Sequence, residues 1–499
     1  MSNTNRVALR AALESSFGVV PTAPVLRDLC ITGAPSLAFT PETTVSEKIR
    51  SDRQIDDLIL VGGEAGGDVN SELAFSVHDF LLEGAFFNSF QVRNERLNDE
   101  VTTEITAVTG TEFTVLTGGV PVVNDIVRGE GFSVAANNAY HVIDGVPSAT
   151  QFTTATATAE ATPPNQARLT TVGRRGAAGD LVLTIAGTST LGSTVLDFTT
   201  LGLQAGDWIA LDALPVAPTS EGFYRIAITP TATLITFDIV PVGAVTDTPA
   251  GAMDIYMGER LINGVQFQSY SLEEVFEDHS PVTFQYFRGM TVDGMVLTAP
   301  SQSIVSIVFT FSGKDGFYSD TGLPAIVPDQ LPAVDGPTAR VGAATTVTSL
   351  PVNVLNSSSN VARISRGGVP IVGANFVLEA SVEIANNLRQ LNAVGFLGAT
   401  KIGDGEFGVT GSLNTYFDDA SLARDVVANA ETSFDMRFVD NAGHAIVIDA
   451  PRIKFSEGAP EVPSKNEDVT IALAYQAIRE PVFNYTLLWQ RFTGFQKSN

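Results

Sequence analysis

The chain has 499 residues, 44% of them hydrophobic, and a formal net charge of −26 from 55 acidic and 29 basic residues. That length exceeds what a single hydrophobic core serves, so two to four domains are expected. The charge excludes ordinary sequence-independent nucleic-acid binding, which needs a basic surface; it suits either plain solubility or a wall that repels nucleic acid.

Charged residues make up only 17%, and Thr, Ser, Val, Ala and Gly fill the space, a mix that favours strands and turns over long helices. Cys30 is the single cysteine, so no intramolecular disulfide is possible and a buried, inert thiol is expected. His78, His141, His279 and His444 are scattered and lack zinc-ligand spacing. No run of about 18 apolar residues exists and the first residues carry no apolar leader, so no membrane anchor is expected, and synthesis in a cytoplasm is.

In chain order, Leu29-Cys30-Ile31-Thr32 and Ser36-Leu37-Ala38-Phe39 read as strands. A charged segment from Pro41 to Leu60 follows, and Gly62 to Asp68, with four glycines, reads as a flexible turn. Val69, Ser71, Leu73, Phe75 and Val77 share one face of a strand pattern, and His78 to Phe87 is the best helix candidate. Residues 94–258 are poorer in aromatics and richer in Thr, Val, Ala and Gly. Ala155 to Asn165 reads as a linker or long loop, and Thr171 to Asp180 as a second break. A weak internal echo spans this region: Asn124-Asp125-Ile126-Val127 with Tyr140-His141-Val142 matches Ala205-Gly206-Asp207-Trp208-Ile209 with Tyr224-Arg225-Ile226. Two small β modules, over 94–170 and 171–258, are expected from it. Residues 259–499 return to strand patterns such as Ile304 to Phe311, with a Pro-rich loop over 321–337 and a short helix from Asp418 to Ala428.

Catalytic and cofactor chemistry is not legible. The glycine pairs lack the Lys-Ser/Thr of a phosphate loop, no nucleophile elbow occurs, and Glu273, Glu274, Glu277 and Asp278 read as a solvated edge rather than paired catalytic acids. No catalytic residue, cofactor or metal is assigned. Two patches read as recognition features. Lys48, Arg50 and Arg53 interrupt an acidic chain, interleaved with Asp52, Asp56 and Asp57. They suit either an internally salt-bridged loop or an intersubunit arm. Trp489, Phe492 and Phe495 suit either core packing or docking on a second subunit.

Several motifs, in order, resemble the phage tail tube protein family. They are Glu14-Ser15-Ser16-Phe17-Gly18, Ser46 to Gln54, Gly67 to Leu73, Ser269-Tyr270-Ser271-Leu272-Glu273, Tyr286 to Met290, Phe311 to Lys314, Gly408 to Leu413, Thr432-Ser433-Phe434 and Ala450 to Phe455. They span about two thirds of the chain, 1–93 and 259–499; residues 94–258 match less. The resemblance implies a mainly β fold: a discontinuous core of sandwich or barrel type, over 1–93 and 259–499, with a flanking short helix and the two inserted modules. It implies a non-enzymatic subunit of the virion tail whose hexameric rings stack into a DNA ejection conduit. The partners implied are further copies of the chain, a tape measure protein, and terminator and baseplate or initiator proteins, with DNA passing unbound. The alternative is another virion β protein, such as a tail terminator, a baseplate component or a capsid decoration protein.

Overall fold

The computed structural model describes residues 3–21, 25–33, 35–98, 102–117, 119–214, 216–247, 251–319, 346–348, 353–371 and 375–495. The Pro-rich loop expected over 321–337 lies outside them. The protein is mainly β, 51% strand and 7% helix.

Period-two alternation builds the principal sheet. In Ser306–Gly313 the side chains of Ile307, Phe309 and Phe311 turn inward while Ser306, Val308, Thr310 and Ser312 face out. In Val377–Ala385, Ala380, Val382 and Ile384 turn inward and Glu379, Ser381 and Glu383 face out. The antiparallel order is Ala38–Val45, Leu58–Glu72, Ser306–Gly313, Thr283–Pro300, Val377–Ala385, Gly408–Tyr416, Thr470–Ala477 and Ala445–Glu461. The first half of Ala445–Glu461 also carries Glu431–Val439 on one side and Leu488–Phe492 on the other. The first half of Thr283–Pro300 belongs to a second sheet, with Tyr270–Phe276, Val7–Leu13 and Val25–Leu29.

One core fills the space between them, drawing on Leu9, Leu272, Phe287, Phe309, Val382, Leu413, Met436, Ile448, Leu473 and Trp489. The helix Asp79–Phe86 closes its flank with Leu81, Leu82 and Phe86 buried. Eight residues are too few for a stable isolated helix. Burying those three side chains at about 1.5–3 kcal/mol each supplies what propensity does not. Phe87, in the left-handed region at φ 50°, ends it.

The run Gly62 to Asp68 is not a turn. It lies inside the single long strand Leu58–Glu72. Its glycines permit close approach instead of bending: a Cβ on Gly63 would meet the Phe39 ring at 2.4 Å, and one on Gly67 the Ser36 carbonyl oxygen at 2.4 Å. The solvated edge expected at Glu273 and Glu274 is likewise corrected, because both are buried. Glu273 is held by Arg10 at 3.2 Å and by the Tyr286 hydroxyl at 2.7 Å. Cys30 is free and only partly buried.

Residues 95–257 leave the core and form one continuous antiparallel sheet. It holds two hydrophobic clusters, one centred on Phe113, Ile143 and Phe152, the other on Leu183, Ile209 and Tyr224. The strand Arg168–Arg175 runs between them where a break was expected. It pairs through Arg168–Thr170 with Glu95–Leu97 and through Gly173–Arg175 with Asp254–Tyr256.

The internal echo has a structural counterpart in strand order and turn chemistry, but its tyrosines are not equivalent: Tyr140 stands opposite Arg128 and Tyr224 opposite Ile209, so with Asp125 matched to Asp207 it is His141 that corresponds to Tyr224. Following the first half from its last strand, the pairing order is Arg168–Arg175, Asp125–Glu130, Tyr140–Ser148, Gln151–Thr154, Glu112–Val115, Ile105–Thr109. The second repeats it with Asp254–Met257, Trp208–Asp212, Gly222–Ile228, Leu234–Ile239, Ser189–Gly192, Val182–Thr184. Asp125 accepts the Val122 amide at 2.8 Å, and Asp207 the Gln204 amide at 2.8 Å. Each turn contains a positive-φ residue just before the aspartate, Asn124 and Gly206. Buried Asn137 bonds both backbone groups of Thr158, and buried Ser220 both of Val245. Two residues on, Glu160 bridges Val108 and Asp247 bridges Leu183.

Candidate assembly surfaces

The hairpin of Ala38–Val45 and Leu58–Glu72 runs past the rest of the sheet as an arm. The loop at its tip carries the predicted cluster. Lys48 pairs with Asp56 at 3.0 Å, and Arg50 reaches Asp52 at 2.7 Å and also Asp56. The arginine and lysine hold the Asp52 and Asp56 carboxyls below their ordinary range. These exposed pairs contribute little stability, but together they fix the loop's shape. Arg53 has no ion pair among the described residues and sits at φ 59°. Around these charges the arm is apolar and uncovered: Ile49 is 96% exposed, Ile55 73% and Leu58 60%, with Ile59, Leu60 and Val61 also exposed. An uncovered apolar run of this length marks a contact surface. Among the described residues, Ala38–Val45 pairs on one edge only, which leaves the sheet open there.

The C-terminal aromatics are placed differently from the surface patch considered above. Trp489, Phe492 and Phe495 are 1%, 2% and 1% exposed. Trp489 belongs to the main core. Phe492 and Phe495 meet Phe223 edge-on at 5.0 and 4.9 Å, inside a seam between the core and the inserted sheet. They serve the chain's own insert because Phe492 ends a strand flanked by Ala445–Asp449, whose open face Trp208, Phe223 and Tyr256 cover, and Phe495 follows just beyond it.

Polar groups fix that seam. Trp208 donates its indole N–H to Asp449 at 3.0 Å, and its backbone exchanges two hydrogen bonds with the Gln490 side chain, at 2.8 and 3.0 Å. Arg225 holds Asp449 at 3.0 Å and Asp238 at 2.7 Å. Burial lifts the Asp449 carboxyl to about 6, with Arg225 opposing it. Burial works against the Arg225 charge, and Asp449 and Asp238 outweigh it. Arg437 lies over the Phe223 ring at 4.4 Å. Sequence reasoning missed this network. Its one local sign is Asp449 at the end of the continuous apolar run Ala445 to Ile448, an acid in a stretch of strand buried on both faces.

A second buried node explains why motifs from both halves of the chain travel together. The Glu14 carboxylate accepts from Gly18 N–H at 2.7 Å, Ser269 and Ser271 hydroxyls at 2.7 Å each, and Gly289 N–H at 2.9 Å. Burial raises its pKa despite these four donors. The N-terminal Glu-Ser-Ser-Phe-Gly run, Ser269-Tyr270-Ser271 and Arg288-Gly289-Met290 are therefore one structural unit.

Among the described residues, an open antiparallel sheet edge beside an uncovered apolar arm marks a contact surface. The family model for phage tail tube protein matches residues 4–477, and the chain belongs to that family. It is a structural component of the tail tube of a bacteriophage virion. No individual curated protein matches the sequence.

Proposed function

We propose that copies of this chain close into rings, hexameric in the simplest arrangement, and that the rings stack into the conduit through which DNA leaves the virion. The observation that carries this is the sheet left open at Ala38–Val45, continuous with an apolar arm that none of the described residues covers. An open edge is a liability in a monomer, and ring closure removes it. The outward face of the sheet supports the same reading. It presents Glu64, Asp68, Glu379 and Glu383 among Ser, Thr, Gly and Asn, a face that would repel passing DNA. The tape measure, terminator and initiator proteins are the partners such a tube requires, and Lys48, Arg50, Asp52 and Arg53 are the contacts proposed between subunits. Negative-stain electron microscopy of the purified chain over a concentration series tests this. Tubes or stacked rings with a central hole are expected. Discrete rings that never stack would transfer the reading to a terminator or baseplate component.

A further inference from the structure

The two inserted repeats bring the same ion pair to one cavity. Val127 stands opposite Thr171 and Ile209 opposite Met257, and Arg174 and Arg260 follow those two residues at the same spacing. With Asp125 matched to Asp207, Arg174 therefore matches Arg260. Arg174 pairs with Asp125 at 2.8 Å, and Arg260 with Asp207 at 2.8 Å. Both pairs line a cavity of about 470 Å³ at the root of the insert, where Arg93 of the entering segment and Gly258 of the leaving one also line it.

Each aspartate has both oxygens engaged, one on its arginine and the other on an amide of its own turn, Val122 or Gln204. The arginines are not saturated. Among the described residues, nothing accepts from the Nη2 of Arg93, Arg174 or Arg260. Arg93 has no ion pair among them either; its Nε and Nη1 donate only to the Gly258 and Leu201 carbonyls, at 3.3 and 2.9 Å. Glu259 accepts the Arg93 amide, but Arg491 holds its carboxylate at 2.6 Å. Burial works against the Arg93 charge, and Asp207, Glu259 and Asp125 offset that only in part. The lining thus sets three guanidiniums against two carboxylates.

One cation in excess suits a monoanion. A phosphate dianion would bring surplus negative charge against Asp125 and Asp207, and a bare ion would leave most of the cavity unfilled. A planar carboxylate fits the guanidinium fork. The remaining wall suits hydroxyls. The Gln91 and Thr171 side chains line it and have no hydrogen-bond partner among the described residues, and each aspartate oxygen can accept a second hydrogen bond. Val92, Val122 and Met257 add an apolar surface for the C–H face of a ring.

We propose that this cavity binds a sugar acid, a hydroxylated ring carrying one carboxylate, with the carboxylate on Arg93 and the hydroxyls on Gln91, Thr171, Asp125 and Asp207. The insert then has a ligand of its own, whatever the manner in which copies of the chain assemble.

Saturation-transfer NMR on the full-length chain tests it, with glucuronate as the probe. Glucuronate should give a saturable signal with a dissociation constant on the order of 1 mM, ordinary for a ligand of that size. Glucose should bind about tenfold more weakly or worse, and inorganic phosphate should compete only at about tenfold higher concentration. Arg93→Gln should weaken glucuronate by about tenfold. Because Arg93 also ties two carbonyls, Val122→Trp supplies a second arm: Val122 is 55% exposed, so the fold tolerates the larger ring, which fills the cavity and should abolish binding. The absence of a saturable glucuronate signal, glucose or phosphate binding as tightly, or glucuronate binding that survives both variants would each overturn the proposal.

Discussion

Phe223→Ala is expected to free the insert from the core without unfolding either. Phe223 is 1% exposed and faces the seam, whereas its neighbour Tyr224 points the other way into the insert's own cluster. Truncating a buried phenylalanine costs about 3–5 kcal/mol, and its edge-on pairs with Phe492 and Phe495 account for roughly 0.5–1.5 kcal/mol each of that. A loss of that size multiplies seam opening by about 10²–10⁴. The Trp208 amide, bonded to the Gln490 side chain, reports it directly by hydrogen exchange. Protection there should fall by that factor, while amides of Gly408–Tyr416, deep in the principal sheet, keep theirs. A double-mutant cycle with Phe495→Ala should return a coupling of about 1 kcal/mol. If the Trp208 amide exchanges no faster in Phe223→Ala, the aromatic seam is not what holds the insert.

Two further outcomes follow from buried carboxylates. Burial lifts Glu259 to about 7, against the pull of Arg93, whose amide donates to it at 2.9 Å, and of the Arg168 charge. Its folded pKa lies above the unfolded value, so the folded chain holds a proton that the unfolded chain has lost between about pH 4.5 and 7; stability falls as pH rises through that window, by about 3 kcal/mol, and levels off above it. Glu259→Gln should remove this slope, seen as a smaller difference between urea midpoints at pH 5 and pH 8; parallel curves for the two proteins would count against it. Glu14→Gln turns an amide NH₂ toward donors that now meet oxygen. With two of the four left unsatisfied, the cost is about 2–6 kcal/mol. An unchanged thermal midpoint would mean that this node does not hold the two halves of the chain.

Much of the fold is legible because side-chain alternation is a local signal. Ser306–Gly313 and Val377–Ala385 declare both strand and facing in their own residues, and His78 to Phe87 declares a helix by spacing. The echo between Asp125 and Asp207 is legible because each aspartate caps its own turn. The errors arise where distant contacts decide. Glycines at 62, 63, 66 and 67 look like a turn until Phe39 and Ser36 are brought against them. Trp489, Phe492 and Phe495 would look the same whether they met a second subunit or the chain's own insert, since both surroundings reward large buried rings. The pair of Arg225 and Asp449 is 224 residues apart, and no periodicity reaches across that distance.

The strand Arg168–Arg175 closes the first inserted repeat and opens the second. Each repeat therefore enters and leaves on adjacent antiparallel strands, and its exit strand is the next one's entrance. A unit added at this strand would return the chain beside its point of departure, because entry and exit strands are hydrogen-bonded neighbours. Mass added there would come in whole repeats, as a necklace gains a bead at its clasp.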